Sequence, residues 1–185
     1  MHFTLTDLVT DIAQNGAESG AGLIELYINE AMDPLGRAEF RFSVKDNGKG
    51  MTDAELQHAA DPFICDGVKQ TLLKHPHRKV ALGLPFLAQT AETSGGGWNI
   101  ESMGSGTTVN AWFDLSNVDT PPIGDIPGMI RTVLLLAGPQ EIVINHSVNG
   151  TNVQVKKTEL VDALGNLEDV QSLILLDKYV RGMEN

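Results

Sequence analysis

Apolar residues recur along the chain with two periods. Leu8, Val9, Ile12 and Ala13 fall at the three- and four-residue spacing of a helix with one buried face, and Thr6 or Asp7 stands where its N-cap belongs. Within Glu39-Phe40-Arg41-Phe42-Ser43-Val44, Phe40, Phe42 and Val44 alternate with polar residues, which predicts a half-buried strand. That strand runs into Asp46-Asn47-Gly48-Lys49-Gly50-Met51, and a helix-like segment starts at Thr52. Leu84, Phe86, Leu87 and Ala91 predict an apolar helix over 84–93; Gly95-Gly96-Gly97 then makes the turn into a strand, Trp98-Asn99-Ile100-Glu101. Val109, Ala111 and Phe113 mark another alternating strand.

Past Leu115 the pattern changes. Asp119-Thr120-Pro121-Pro122 reads as a linker or sharp turn. Ile126, Ile130, Val133, Leu134 and Ala137 then make a helical apolar face. Ile142-Val143-Ile144 and Val153-Gln154-Val155 flank Asn149-Gly150, a strong hairpin signal. Two helical segments follow, at about 158–164 and 168–182. This predicts an α-β-β-α lobe or extension over 118–185, after a first domain over 1–117. It carries no chemical constellation and reads as an extension of the core or a protein-interaction surface.

Composition narrows the class. A chain of 185 residues, 42% apolar and 20% charged, is long enough to bury one sizeable core. No run approaches the roughly twenty apolar residues of a membrane span, and no basic-then-apolar leader opens the chain. Cys65 is the one cysteine, so an intrachain disulfide is excluded; it reads as a small buried hydrophobe and fits a reducing, cytoplasmic setting. A net charge of −11 argues against the nucleic-acid backbone as a partner.

Candidate chemistry sits where the elements meet. At the end of a strand, Asp46 can accept from an exocyclic amine, while Gly48 and Gly50 let a flat group approach the backbone. An ordinary Asn-Gly turn would look the same. Asp11 and Asn15, four residues apart, share one helical face and together suit a hydrated Mg²⁺ and a water, although an exposed polar face would use such residues too. Gly83, at the start of the apolar helix, exposes free N–H groups to an anion, with Leu84 beside it. Gly104-Ser105-Gly106-Thr107-Thr108 leads into the strand of Val109. Between Gly67 and Lys79 lies a basic island in an acidic chain; its His75-Pro76-His77 reads as solvated loop rather than metal site.

These motifs, in this order over about residues 5–115, resemble the ATP-binding fold of DNA gyrase, heat-shock chaperones, sensor histidine kinases and mismatch-repair ATPases, the GHKL or Bergerat-fold superfamily. Asp11-Ile12-Ala13-Gln14-Asn15 is similar to the N box, and Asp46 to Gly50 to the first glycine box. Ala81-Leu82-Gly83-Leu84 is similar to the second glycine box and Gly104-Ser105-Gly106-Thr107 to the third. With Asp61-Pro62-Phe63 and Arg78-Lys79-Val80, the chain looks like small stand-alone bacterial ATP-binding proteins of the histidine-kinase-like group.

The resemblance implies an α/β two-layer sandwich with a mixed sheet, and ATP between helices and sheet. It implies that Asp46 accepts from the adenine amino group, that Gly50 lies beside the ring, and that Thr107 or Thr108 reaches the base through water. Asn15 becomes the Mg²⁺ ligand, Gly83 and its neighbours meet the phosphates, and Lys79 or Arg78 neutralises them from a lid over 67–79. Asp11 stands where gyrase and the chaperones place a water-activating Glu.

Two departures weigh against turnover. Asp11 is one methylene shorter than Glu, and Ala81 replaces a common glycine. Only about ten residues precede the N box, too few for a phosphoacceptor hairpin. The expectation is Mg-dependent ATP binding with slow hydrolysis or phosphoryl transfer to a separate protein partner, as in the anti-sigma factors it resembles. The alternative is a non-catalytic, nucleotide-gated interaction module. A homodimer is compatible with either.

Overall fold

The computed structural model describes residues 4–33, 35–59, 83–102 and 104–182. The first helix, α1 (Leu5–Glu18), is capped by Thr4 and not by Thr6 or Asp7. The Thr4 hydroxyl accepts the Asp7 N–H, and the Asp7 carboxylate accepts the Thr4 N–H, at 3.3 and 2.8 Å. This reciprocal pair satisfies two end donors and starts the helix early enough to bury Leu5 with Leu8, Val9, Ile12 and Ala13.

The strands are β1 (Leu23–Met32), β2 (Ala38–Asp46), β3 (Gly97–Ser102), β4 (Thr107–Asp114), β5 (Glu141–Val148) and β6 (Thr151–Lys156). They form one six-stranded sheet in the order β3-β4-β2-β1-β5-β6. Among the described strands only β1 and β5 run parallel; the remaining ladders are antiparallel. β1 carries no clear two-residue period in the sequence. Its Ile24, Leu26 and Ile28 are buried on one face, but Leu23 and Tyr27 are apolar on the other, which blurs the two-residue alternation.

One face of the sheet carries Ile24, Leu26, Ile28, Phe40, Phe42, Val44, Val109, Ala111, Phe113, Ile142 and Ile144, all buried. Phe40, Phe42 and Phe113 have ring centroids 6.2–6.4 Å apart. Each fully buried side chain of this size contributes about 1.5–3 kcal/mol of transfer free energy, so this face fixes the register. Against it pack α1, α3 (Gly83–Thr93) and α4 (Ile126–Leu134). The far face is more polar, with Arg41, Lys45, Asn99 and Gln154 exposed. The result is a two-layer α/β sandwich with a mixed sheet.

The segment from 118 on joins that same sheet: β5 lies beside β1, and Asn149 (φ 48°) with Gly150 (φ 87°) turns β5 into β6 as a two-residue hairpin. Helices α5 (Lys157–Leu164) and α6 (Val170–Gly182) close the chain, and their Leu160, Leu176 and Val180 belong to the common core. A short helix, α2 (Asp53–His58), follows the first glycine turn behind an N-cap at Thr52.

Candidate functional site

β2, β3 and β4 reach one end of the sheet together. Register sets Asp46 opposite Thr107 and Thr107 opposite Ser102, so the three form a row across adjacent strands on the helix-covered face. Strand alternation places Thr108 on the opposite face, opposite Lys45 and Glu101. Of the two candidate hydroxyls, therefore, Thr107 shares Asp46's face and Thr108 does not.

Asp46 is 9% exposed. Its Oδ1 accepts the Gly48 N–H at 2.8 Å and the Ser19 hydroxyl at 3.3 Å. Burial pushes the carboxyl above the ordinary carboxylate value, and hydrogen bonds from Gly48, Ser19 and the Thr107 backbone partly oppose it.

The glycines around Asp46 are there because of space. A Cβ on Gly16 would lie 3.1 Å from the Asp46 Cβ, so a side chain there would push the carboxylate back by a few tenths of an ångström. A Cβ on Gly48 would overlap the Ser19 hydroxyl, and one on Gly106 would stand 2.2 Å from the Asp46 carbonyl oxygen. At Gly50 (φ 66°) a Cβ would lie 3.1 Å from Gly104, from the Gly106 carbonyl and from the Ser102 hydroxyl. The first and third glycine turns are thus in direct contact. Gly104 (φ 72°) faces open space and is required only by its backbone conformation.

Three polar residues that motif reading missed hold this arrangement. Asn47 Oδ1 accepts the N–H groups of Gly22 and Leu23, both at 2.9 Å, and so ties the turn to the start of β1. Ser19, at the end of α1, donates to the Gly16 carbonyl at 2.7 Å and reaches Asp46; its own carbonyl accepts the Lys49 N–H at 3.3 Å. Ser102 accepts the Met51 N–H. Each is an ordinary turn or strand residue whose role depends on cross-strand register, which local sequence does not display.

Asp11 and Asn15 stand half-buried on α1. A Cβ on Gly83 would lie 3.5 Å from the Asn15 Nδ2 and 3.6 Å from the Asp11 Cβ, so the first residue of α3 abuts both. Leu84 follows, partly buried against the core. The carboxylate and carboxamide offer two hard oxygen donors, and no cluster of three or more His, Cys, Asp or Glu side chains occurs among the described residues. That donor set fits a Mg²⁺ ion held mainly by phosphates and water rather than by a protein cage. Lys79, Arg78, Ala81, Leu82, Asp61-Pro62-Phe63, Cys65, the two histidines beside Pro76 and the whole stretch 67–79 lie outside the described residues. No described helix is long and apolar enough to cross a membrane.

Comparison with known proteins bears on this geometry. The profile of a family described as histidine kinase-, DNA gyrase B-, and HSP90-like ATPase matches residues 2–117. No curated protein matches. Among solved structures, the N-terminal domain of a DNA repair protein is similar with a TM-score of 0.52 and 14% identity, over 82% of this chain and 51% of that one. An Aquifex aeolicus MutL ATPase domain complexed with ADP has a TM-score of 0.42 and 16% identity, over 85% of this chain and 65% of the other. The chain thus spans about half to two-thirds of the length of these structures.

Proposed function

The chain belongs to the family of histidine kinase-, DNA gyrase B- and HSP90-like ATPases, and from that premise we propose that it binds Mg-ATP between α1, α3 and the β2–β4 end of the sheet. The observation that carries this reading is the meeting of the four motifs: Gly16 and Gly106 pack on Asp46, Gly50 packs on Gly104 and Gly106, and Gly83 stands against Asp11 and Asn15.

Each group has a task that its chemistry suits. Asp46, acceptor-only when ionised, takes the adenine amino group, and Gly48, Gly50 and Gly106 let Ser19 and the two glycine turns pack closely around it. Thr107 supplies a hydroxyl next to Asp46. The N–H groups at the start of α3 face the phosphates, where the helix dipole favours negative charge. Asn15 would hold a Mg²⁺ ion through its carboxamide oxygen, and Asp11 would orient a water. When bound, the metal neutralises phosphate charge. Lys79 keeps its sequence-based role as a phosphate-neutralising cation.

Phosphate chemistry on this site would be slow hydrolysis or transfer to a separate protein. The short reach of Asp11 favours modest turnover in isolation, and with no turnover at all the chain would serve as a non-catalytic, nucleotide-gated interaction module. Calorimetric titration with ATP and ADP, with and without Mg²⁺, tests the binding. Phosphate release measured with ATP alone and with a captured partner separates the enzyme from the module. Absence of binding by any adenine nucleotide contradicts the proposal.

A further inference from the structure

The chain contains three Asn-Gly pairs, Asn15-Gly16, Asn47-Gly48 and Asn149-Gly150. In such a pair the glycine nitrogen, unhindered by a Cβ, can attack the Cγ of the preceding carboxamide. A C–N bond forms, the carboxamide nitrogen leaves as ammonia, and a five-membered imide closes. Water then opens the ring at either carbonyl, giving an aspartyl or an isoaspartyl residue. Water is the sole co-reactant, and nothing is oxidised or reduced. The reaction does require the asparagine backbone and side chain to rotate until Cγ meets the next nitrogen.

The fold opposes that rotation at two of the pairs. Asn15 and Gly16 lie within α1, and the Asn15 carbonyl accepts the Ser19 N–H at 3.0 Å. Asn47 Oδ1 accepts the Gly22 and Leu23 amides, and the Gly48 N–H donates to Asp46 at 2.8 Å. Turning either asparagine breaks bonds that hold the site together. Asn149 differs. It is exposed at the tip of the β5–β6 hairpin, with φ 48°, and Gly150 follows at φ 87°. Its N–H donates to the Glu30 carbonyl at 3.0 Å, but among the described residues neither its carboxamide nor the Gly150 N–H has a hydrogen-bond partner. Thr151 and Asn152, which come next on the edge strand β6, are exposed as well, so the tip can open without uncovering the core.

We infer that Asn149-Gly150 is the site at which the folded chain deamidates, and that the isoaspartyl product loosens β6. An isoaspartyl residue adds a methylene to the main chain, which a two-residue turn cannot absorb while Val148 stays opposite Thr151. β6 carries Val155 of the core, so stability falls. The Asp46 end of the sheet is spared: Asp46 stands opposite Ile24 at the start of β1, whereas Asn149 bonds Glu30 near its other end. Nothing in this chemistry requires a bound nucleotide.

The test ages the folded parent in mildly alkaline buffer, with a second sample in urea, and follows the peptides of both by mass spectrometry. In the folded protein the Asn149-Gly150 peptide should gain the mass difference between an amide and an acid, and split into two chromatographic forms. The Asn15-Gly16 and Asn47-Gly48 peptides should stay unmodified there, and all three should convert in urea. Asn149→Gln, whose longer side chain closes the ring poorly, should abolish the folded-state conversion. The melting temperature of the parent should fall with ageing, and that of Asn149→Gln should not. Conversion at Asn15 or Asn47 as fast as at Asn149 in the folded protein, or conversion of Asn149 in urea alone, would overturn the site. A modified parent that melts as the fresh one does would overturn the loosening of β6.

Discussion

Asp46 and Thr107 are cross-strand partners at the ends of β2 and β4, and their pairing sets a buried carboxylate beside a hydroxyl on the helix-covered face of the sheet. Side chains alternate along a strand, so a slip of β4 by one residue would bring Thr108 to Asp46's side and turn Thr107 away. Phe40 opposite Phe113, and Val44 opposite Val109, hold the register against that slip, because the same shift would expose both core residues of β4. The apolar core of the sheet therefore decides which hydroxyl reaches the site.

Asp46→Asn should weaken adenine-nucleotide binding about ten- to a hundredfold, since a charge-assisted bond of about 1.5–3 kcal/mol is replaced by a group that also presents donors. Its effect on the empty protein should have the opposite sign. Burial raises the Asp46 carboxyl above 3.8, so the folded state disfavours the charged form. The parent therefore gives up stability as pH rises from below that ordinary value through the folded value, and the deficit persists at neutral pH. Thermal melts should show the asparagine variant at least as stable as the parent at pH 7, with the difference shrinking in acid. A variant less stable at pH 7 and equal in acid would contradict this sign.

Gly106→Ala and Gly104→Ala should separate steric from conformational need. Both residues have positive φ, 112° and 72°, but only at Gly106 would a Cβ meet backbone, 2.2 Å from the Asp46 oxygen. Gly104→Ala should cost about 1 kcal/mol, whereas Gly106→Ala should cost about 3 kcal/mol or more in urea unfolding. Equal costs would mean that the close packing of the third glycine turn on Asp46 is wrong.

The motifs are legible as short strings, and so are the first helix (though not its cap), the alternating strands β2 and β4, and the Asn149-Gly150 hairpin. What stayed hidden depends on long-range pairing. The parallel union of β1 with β5 joins residues more than a hundred positions apart, and no local period encodes it. Ser19, Asn47 and Ser102 look like common turn and strand residues until topology brings them to Asp46, Gly22 and Met51. Thr4, Thr6 and Asp7 are all acceptable caps by type, and only the bonds made by Thr4 decide among them.

Asn47→Ala should loosen the site without touching a ligand. It leaves the Gly22 and Leu23 amides without the acceptor they share, which should cost about 1–2 kcal/mol of stability. Faster hydrogen exchange at Gly22 and Leu23 should accompany the loss. Unchanged exchange at both would show that Asn47 does not hold the turn.

Asp11→Asn and Asn15→Ala should divide turnover from binding. Orienting a water matters mainly for phosphate release, while a metal ligand matters for holding the phosphates. Asp11→Asn should leave nucleotide affinity within about twofold and abolish any phosphate release, and Asn15→Ala should weaken Mg-nucleotide binding about tenfold. If Asp11→Asn hydrolyses ATP at the parent's rate, Asp11 does not orient the water.

The most direct test of the nucleotide site is an amide NMR titration of the protein with Mg-ADP. The largest shifts should fall on Gly48, Gly50, Gly83, Gly106 and Thr107, the amides that line the meeting point of the four motifs. The cleft formed by Asp33 and Arg37 from the β1–β2 connection with Glu39, Arg41, Trp112 and Asp114 from the opposite ends of β2 and β4 should stay unperturbed. Shifts confined to that cleft, or no shifts at saturating Mg-ADP, would contradict the account.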